Sequence, residues 1–189
     1  MPCYKEYYHA IIPRTIMLLS NTVPPAHRRA AAFTVSRMLG TDDTFHYHTM
    51  TSTIVLAMLH LPFLRGTSQR GTEQVAPDNP GPPPNPLHHM TTTVALSTLV
   101  TLIINTDPSP VFISTLLSPI APALYALLYH LDQIKTSDPS IRESLHGLLA
   151  TWGRVVSSLE GVDVLSTILD CTGDDWQVDM ESQISRSDK

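Results

Sequence analysis

The sequence contains little charge, few cysteines and no long basic run. Only 15% of its residues are charged, and no run of lysine or arginine exceeds two residues. The formal net charge is −5. A general nucleic-acid-binding protein requires a concentrated basic surface, which this composition does not provide. We therefore expect no nucleic-acid partner.

The two cysteines, Cys3 and Cys171, lie near opposite ends of the chain and match no metal-ligand spacing. Two cysteines cannot form a disulfide framework, which favours a reducing compartment. The first residues are charged and aromatic where a secretory signal would be apolar. No apolar run reaches the roughly 20 residues that a membrane helix requires. These features predict a soluble protein of the cytoplasm or the nucleus, without a transmembrane segment.

Motifs for catalysis, cofactor binding and metal binding are missing from the sequence. It contains no nucleophile elbow, no phosphate-binding glycine loop and no zinc-protease motif. The histidine clusters His46-Tyr47-His48 and His88-His89 lack the further ligands that a zinc site requires. We interpret His60, His130 and His146 as buried or boundary side chains of helices, not as general bases. The prediction is a non-enzymatic protein without a metal, a cofactor or a small-molecule substrate.

The most regular amphipathic pattern runs from Asp138 to Leu159. Asp138 can cap the first helical turn, and Pro139 suits the first helical position, where no backbone donor is needed. Gly147 predicts a close helix crossing. The apolar residues recur at helical spacing. They are Ile141, Leu145, Leu148, Leu149, Trp152, Val155, Val156 and Leu159.

The polar face of this predicted helix carries our candidate protein-binding surface. Its residues are Arg142, Glu143, His146 and Arg154. Trp152 together with Arg154 also suits an interface hot spot. The position of Trp152 on the apolar stripe nevertheless favours core packing.

Serine–proline pairs divide the preceding segment into two predicted helices. Ser109 and Pro110 start a helix that ends near Leu117, and Ser118 caps a second helix over 119–134. The same Ser–Pro pairs also suit proline-directed phosphorylation. We favour their simpler role as helix starts.

Four further segments have apolar patterns of helical length and complete an all-α prediction. They are Thr91–Asn105, Ile11–Ser20, His27–Leu39 and Thr51–Leu64. Threonine and β-branched residues lower the helix propensity of the first, so a strand is the alternative there. Gly40 is expected to end the third in a left-handed conformation.

A proline-rich segment at 66–90 marks the clearest boundary in the chain. It contains six prolines and three glycines, a composition that predicts a disordered loop. A ligand for a proline-recognition domain is the alternative, and a plain linker is favoured. The predicted organisation is N-terminal helices at 1–65, C-terminal helical repeats at 91–170 and a polar tail at 171–189. Within that tail, Trp176–Val178 suits a short extended piece whose indole packs on the last helix.

Two similar tetrapeptides, Thr-Asp-Pro-Ser at 106–109 and Ser-Asp-Pro-Ser at 137–140, lie 31 residues apart. This offset is typical of helical repeats, in which each helix pair stacks on the next. Two helices that happen to share a start signal explain the similarity equally well.

Four short motifs stand out between Thr98 and Val178. They are PSPVFISTLLSPIAPALYALLYHL, KTSDPSIRESLHGLLATWGRVV, EGVDVL and DWQVD. Together they resemble a segment of the transport and Golgi organisation protein 6 family, whose fungal members are described as RNA polymerase II assembly factors. The resemblance covers roughly 80 of the 189 residues.

The resemblance implies an α-α superhelix of armadillo/HEAT-like repeats, of which this chain is a piece with apolar end surfaces. It also implies a non-catalytic scaffold for protein–protein interaction in the assembly or nuclear import of RNA polymerase II. The expected partners are polymerase subunits and assembly chaperones. The family's name implies an alternative, a membrane-trafficking factor that binds coat or vesicle proteins. The family contributes no catalytic residues.

Overall fold

The computed structural model describes residues 3–40, 48–64, 90–107, 109–134, 138–170, 176–178 and 184–186. These ranges contain eight α-helices and two three-residue strands. The all-α prediction is therefore confirmed in the described part of the chain, with one small strand pair added. The helices are α1 Cys3–Met17, α2 Pro25–Leu39, α3 His48–Leu64, α4 Thr92–Ile104, α5 Pro110–Leu117, α6 Ala121–Gln133, α7 Pro139–Val155 and α8 Ser158–Asp170.

The two strands, β1 Trp176–Val178 and β2 Ile184–Arg186, pair antiparallel. β1 lies against α6, and β2 lies against α3 and α4. The predicted extended piece at β1 is confirmed. The packing of its indole, the rest of the predicted polar tail, and the predicted loop at 66–90 other than Met90 lie outside the described residues.

α5 and α7 begin where the sequence predicts, although the Ser109 side chain makes no capping hydrogen bond to α5. The Asp138 carboxylate accepts a hydrogen bond from the Ser140 backbone N–H at 2.9 Å, and Pro139 opens α7. α5 begins at Pro110, after its tetrapeptide, whereas α7 begins inside the other one. Because the two helices start in different registers, the shared tetrapeptide does not mark equivalent positions of a repeat.

The long helix predicted to reach Leu159 is two helices. α7 ends at Val155, and Val156 adopts an extended conformation with φ −63° and ψ 141°. Leu159 consequently belongs to α8, where its side chain is 88% exposed. The close crossing predicted at Gly147 is also wrong, because a Cβ atom added there would meet nothing within 4 Å.

Other predicted helix ends also differ from the structure, and α2 and α3 begin at Pro25 and His48, a few residues before their predicted starts. Ser118 is the C-cap of α5, while α6 begins three residues later at Ala121. Gly40 has φ −69° and ψ 155°, an extended conformation and not a left-handed one. α1 begins at Cys3 instead of Ile11 and contains Pro13.

The threonine-rich segment before the first tetrapeptide forms α4, so the strand alternative is wrong. The Thr91 hydroxyl caps this helix by accepting from the Val94 N–H at 3.3 Å. The buried Thr98 hydroxyl donates to the Val94 carbonyl at 2.7 Å. A threonine whose hydroxyl donates to a carbonyl of its own helix leaves no unsatisfied donor when it is buried. A threonine-rich segment can therefore form a core helix.

One continuous apolar core receives side chains from all eight described helices. Representative members are Ile12, Val35, Leu59, Leu99, Ile113, Leu127, Leu148 and Val164. The helices before and after the proline-rich segment share this core, and the Thr92 hydroxyl of α4 donates to the Pro62 carbonyl of α3 at 3.1 Å. Trp152 is only 6% exposed, which confirms that it packs in the core.

The packing order of the helices follows their order in the chain. The main contacts of α1 are with α2 and α3, and those of α2 are with α3, α4 and α5. Further along, α3 packs on α4 and α6, both α4 and α5 pack on α7, and α6 packs on α7 and α8. The principal helix contacts therefore join helices no more than three positions apart.

Helix length and hydropathy do not identify a membrane span among the described residues. No single helix there is long and apolar enough to cross a bilayer. α5 and α6 meet that criterion only as a pair, and they are bent by 64°.

The last helix, α8, presents apolar side chains on two faces. Val164 and Ile168 are buried in the core. A second set remains exposed and consists of Leu159, Val162, Leu165 and Leu169. This part of the fold therefore has an exposed apolar stripe.

Candidate functional site

The candidate binding residues predicted from the sequence lie on α7. Glu143, His146 and Arg154 are exposed, whereas Arg142 is half-buried. Glu143 and His146 share one turn, while Arg154 lies about 12 Å further along the helix, as its eight-residue separation from His146 requires. The binding role of all four residues remains a prediction.

Arg142 makes intramolecular contacts. Its Nε lies 2.9 Å from Asp132 Oδ1, and its Nη2 donates to the Leu131 carbonyl at 3.1 Å. Leu131 lies in the last turn of α6, where carbonyls have no intrahelical donor. Arg142 therefore joins the start of α7 to the end of α6.

We expect Arg142→Met to lower the free energy of unfolding by about 1 kcal/mol, because the α6 carbonyl loses its donor and the ion pair is partly exposed. Arg154→Met is the matched control and should change stability by less than about 0.5 kcal/mol. Urea denaturation at low and high salt measures both. A loss of partner binding by Arg142→Met without a stability change would show that Arg142 acts in binding and not in joining the two helices.

An open groove of about 790 Å³ lies between α2 and the junction of α4 with α5. It is lined by residues of both walls, namely Arg29, Phe33, Ser36, Arg37, Gly40, Ile104, Asn105, Thr106, Asp107, Ser109, Val111 and Phe112. We call it the α2–α5 groove. Phe112 is buried and links the groove to the core.

The α2 wall of the groove includes Arg29, Phe33 and Arg37. These residues are spaced by four and therefore follow one face of the helix. The opposite face buries Val35 and Leu39 in the core, which forces this face outward. As a result Phe33 is 66% exposed, a large area for an aromatic side chain on a helix.

The second wall adds apolar side chains at the end of α4 and the start of α5. Ile104 is 74% exposed, and Val111 is also exposed. The Asn105 amide donates to the Thr101 carbonyl at 2.7 Å, and the Thr106 hydroxyl donates to the Leu102 carbonyl at 2.8 Å. These side-chain donors close the last turn of α4, and the wall presents apolar Ile104 and Val111 beside exposed, polar Asp107 and Ser109.

The charged residues of the groove are Arg29, Arg37 and Asp107, and all three are exposed. Arg37 also has an interaction partner within the chain.

The two Ser–Pro pairs have different environments. Ser109 is exposed, lines the α2–α5 groove and makes no capping hydrogen bond with its side chain. The Ser118 hydroxyl instead accepts from the Trp152 indole N–H at 2.9 Å and lies 3.4 Å from Ser114 Oγ. Of the two proposed phosphorylation sites, only Ser109 presents an uncommitted hydroxyl.

A polar cluster joins α5, α7 and α8 through Ser114, Ser118, Trp152 and Glu160. Ser114 donates a hydrogen bond to the Glu160 carboxylate. This bond, and secondarily one from Ser118, lowers the pKa of Glu160. A carboxylate with a lowered pKa is a weak base, and activation of a serine nucleophile requires a stronger one. The cluster is therefore suited to joining three helices.

Histidine and acidic residues do not form a metal site in the described ranges, where no group of three or more potential ligands converges. His46, His88 and His89 lie outside these ranges. Buried His60 donates its Nε2–H to the Leu116 carbonyl at 2.8 Å. Burial lowers the pKa of His60 more than this hydrogen bond raises it. The interpretation of His60 as a buried structural histidine is confirmed.

Comparisons with protein-family models, curated proteins and solved structures find no match to this chain. The resemblance described above consequently rests on the four sequence motifs alone. The function must be argued from the groove.

The α2–α5 groove was not predicted from the sequence, in which His27–Leu39 was identified only as a helix. The signal was nevertheless present, since Phe33 does not lie on the apolar stripe through Val35 and Leu39 and has an arginine four residues away on each side. The second wall gave no comparable signal. It is formed by residues around a helix junction that only packing places opposite α2.

Proposed function

We propose that this protein is a non-catalytic helical scaffold that binds a segment of a protein partner in the α2–α5 groove. The observation that carries the proposal is the combination of exposed Phe33, Ile104 and Val111 in one concave surface with arginines on one wall. Large apolar side chains exposed together in a concavity are typical of protein-interaction sites.

The helix packing order supports an armadillo/HEAT-like superhelix as the finer fold. In such solenoids each repeat contacts its neighbours in sequence, and the principal helix contacts here join helices at most three positions apart. Because α5 and α7 begin at different positions relative to their tetrapeptides, the structure disfavours a strict 31-residue repeat. We therefore propose an irregular solenoid.

The finer biological role that we propose is assembly or nuclear import of RNA polymerase II. It follows from the family resemblance, and the groove supplies the protein-binding surface that such a role requires. The partners would then be polymerase subunits and assembly chaperones.

Affinity purification of the tagged protein from cell extract, compared with two glutamate variants, tests this function. Phe33→Glu places a charge in the groove, and Tyr129→Glu places one at an exposed aromatic residue of α6 outside it. We expect the wild type and Tyr129→Glu to recover polymerase subunits, and Phe33→Glu to lose them. Circular dichroism confirms that both variants fold.

The other outcomes discriminate between the alternatives. Coat or vesicle proteins lost selectively with Phe33→Glu would keep the scaffold and groove but replace the polymerase role with the trafficking role. Partners recovered equally by both variants would refute the groove as the binding site.

A further inference from the structure

We propose that Ser109 is a phosphorylation site for a proline-directed protein kinase, and that its phosphate weakens partner binding in the α2–α5 groove. The first part depends only on the surroundings of Ser109, whereas the second rests on the proposed binding function. The sequence contains two Ser–Pro pairs, Ser109-Pro110 and Ser118-Pro119, and no Thr–Pro pair. Because both pairs offer a kinase the same two residues, their environments decide which serine it can modify.

Ser109 is accessible to another protein in both its backbone and its side chain. Its backbone is extended, with φ −73° and ψ 134°, and its exposed side chain caps no N–H group of α5. The neighbouring residues Asp107, Pro110 and Val111 are exposed as well. A kinase can therefore reach this hydroxyl without first breaking a capping hydrogen bond.

Ser118 has the same dipeptide in a protected environment. Its backbone is helical, with φ −57° and ψ −41°, between the end of α5 and the start of α6. Its half-buried hydroxyl accepts from the Trp152 indole N–H at 2.9 Å, and Ser114 Oγ lies 3.4 Å away. A phosphate on Ser118 would disrupt these contacts and add charge near the Glu160 carboxylate, to which Ser114 donates. The fold therefore protects Ser118 and leaves Ser109 available.

The reaction is a phosphoryl transfer from ATP, which the kinase binds. Ser109 Oγ attacks the γ-phosphorus, the bond between that phosphorus and the bridging oxygen of ADP breaks, and the catalytic aspartate of the kinase takes the hydroxyl proton. The products are ADP and a phosphoserine with a charge of roughly −1.5 to −2 at neutral pH. This chain supplies only the hydroxyl group.

The phosphate would lie at the start of α5, in a wall of the α2–α5 groove. The backbone N–H groups of Val111 and Phe112 belong to the first turn of α5, where donors have no acceptor within the helix. These groups can donate to the phosphate and hold it at the groove. A partner's apolar side chain that packs on Ile104 and Val111 would then have to remove water from a phosphate beside the Asp107 carboxylate, which costs free energy. We therefore expect phosphorylation of Ser109 to weaken binding.

A kinase assay on the folded full chain tests the modification. The probe is a purified mitogen-activated protein kinase with ATP, selected because it phosphorylates two synthetic peptides that span 104–114 and 113–123 and contain one Ser–Pro pair each. Mass spectrometry gives the rate at each serine of the folded chain, divided by the rate of the matching peptide. We expect this ratio to be at least about tenfold higher for Ser109 than for Ser118, because modification of Ser118 requires local opening of the fold.

Two alanine variants assign the phosphate to its residue. Ser109→Ala should remove the modification of the folded chain, and Ser118→Ala should retain it. Equal ratios at the two serines, a higher ratio at Ser118, or no modification of the folded chain would overturn the proposal.

Partner capture measures the effect of the phosphate on the groove. The phosphorylated chain, the untreated chain and kinase-treated Ser109→Ala are compared in cell extract with phosphatase inhibitors, and the readout is the set of proteins that Phe33→Glu loses. We expect capture by the phosphorylated chain to fall at least about tenfold, and treated Ser109→Ala to match the untreated chain. Unchanged capture, or a loss that circular dichroism traces to unfolding, would refute this effect. If Phe33→Glu leaves capture intact, the proposed function fails, while the kinase assay still decides whether Ser109 is modified.

Discussion

Trp152→Ala is expected to lower the free energy of unfolding by about 3–5 kcal/mol. The indole is 6% exposed within a core shared by all eight described helices, so its removal leaves a cavity. The substitution also removes the indole N–H that donates a hydrogen bond to the Ser118 hydroxyl. Since domains of this size are stable by about 5–15 kcal/mol, the loss is a large fraction of the total. Urea denaturation followed by far-UV circular dichroism measures it.

Two milder variants separate the cavity from the hydrogen bond. Trp152→Phe keeps an aromatic ring but removes the donor, and Ser118→Ala removes the acceptor. In a double-mutant cycle with these changes we expect a coupling of about 0.5–1.5 kcal/mol. If Trp152→Ala left stability unchanged but abolished partner capture, Trp152 would be an interface hot spot and not a core residue.

His60→Ala is the second substitution with a large expected effect, a loss of about 2–4 kcal/mol. His60 is buried and donates to the Leu116 carbonyl, which lies in the last turn of α5 and lacks a donor within its own helix. The substitution creates a cavity and leaves that carbonyl unsatisfied. His60→Gln can keep a donor in a similar position and should lose less. Equal losses for both variants would show that the hydrogen bond contributes little.

The same residue makes a component of stability depend on pH. Burial lowers the pKa of His60, so the folded chain takes up its proton at a lower pH than the unfolded chain, whose pKa is about 6.5. Below about pH 6.5 the unfolded state therefore binds more protons, and stability falls as the pH falls. Between about pH 8 and about pH 5, the urea concentration at the denaturation midpoint should decrease in the wild type as the pH falls. It should decrease less in His60→Gln.

Local signals predicted the helices well and their ends less well. Asp138 and Pro139 act only on the first turn that follows them, so α7 begins where the sequence indicates. The break after α7 also has a local signal, because Ser157 and Glu160 have the S-x-x-E spacing of a helix start, and the Ser157 hydroxyl accepts from the Glu160 N–H at 3.4 Å. This signal was missed because Val156 and Leu159 continue the apolar periodicity of α7. The break between α7 and α8 allows α8 to pack on α6 and the Glu160 carboxylate to accept a hydrogen bond from Ser114.

The same distinction applies to the candidate site. Arg142 has the sequence character of a surface residue, yet the folded chain places it beside Asp132 and the Leu131 carbonyl. The solvent exposure of a polar residue on a helix depends on where the neighbouring helix lies. That position cannot be read from the periodicity of a single helix.

By itself the sequence determined that this chain forms helices, where α4, α5 and α7 begin, and that Trp152 belongs to the core. These properties depend on spacing and capping within a few residues, where the physical cause lies in adjacent side chains. Only the tertiary structure decided that Arg29, Phe33 and Arg37 face Ile104 and Val111 across a groove. A groove requires two surfaces distant in sequence, and their approach is set by burial of the core beneath them.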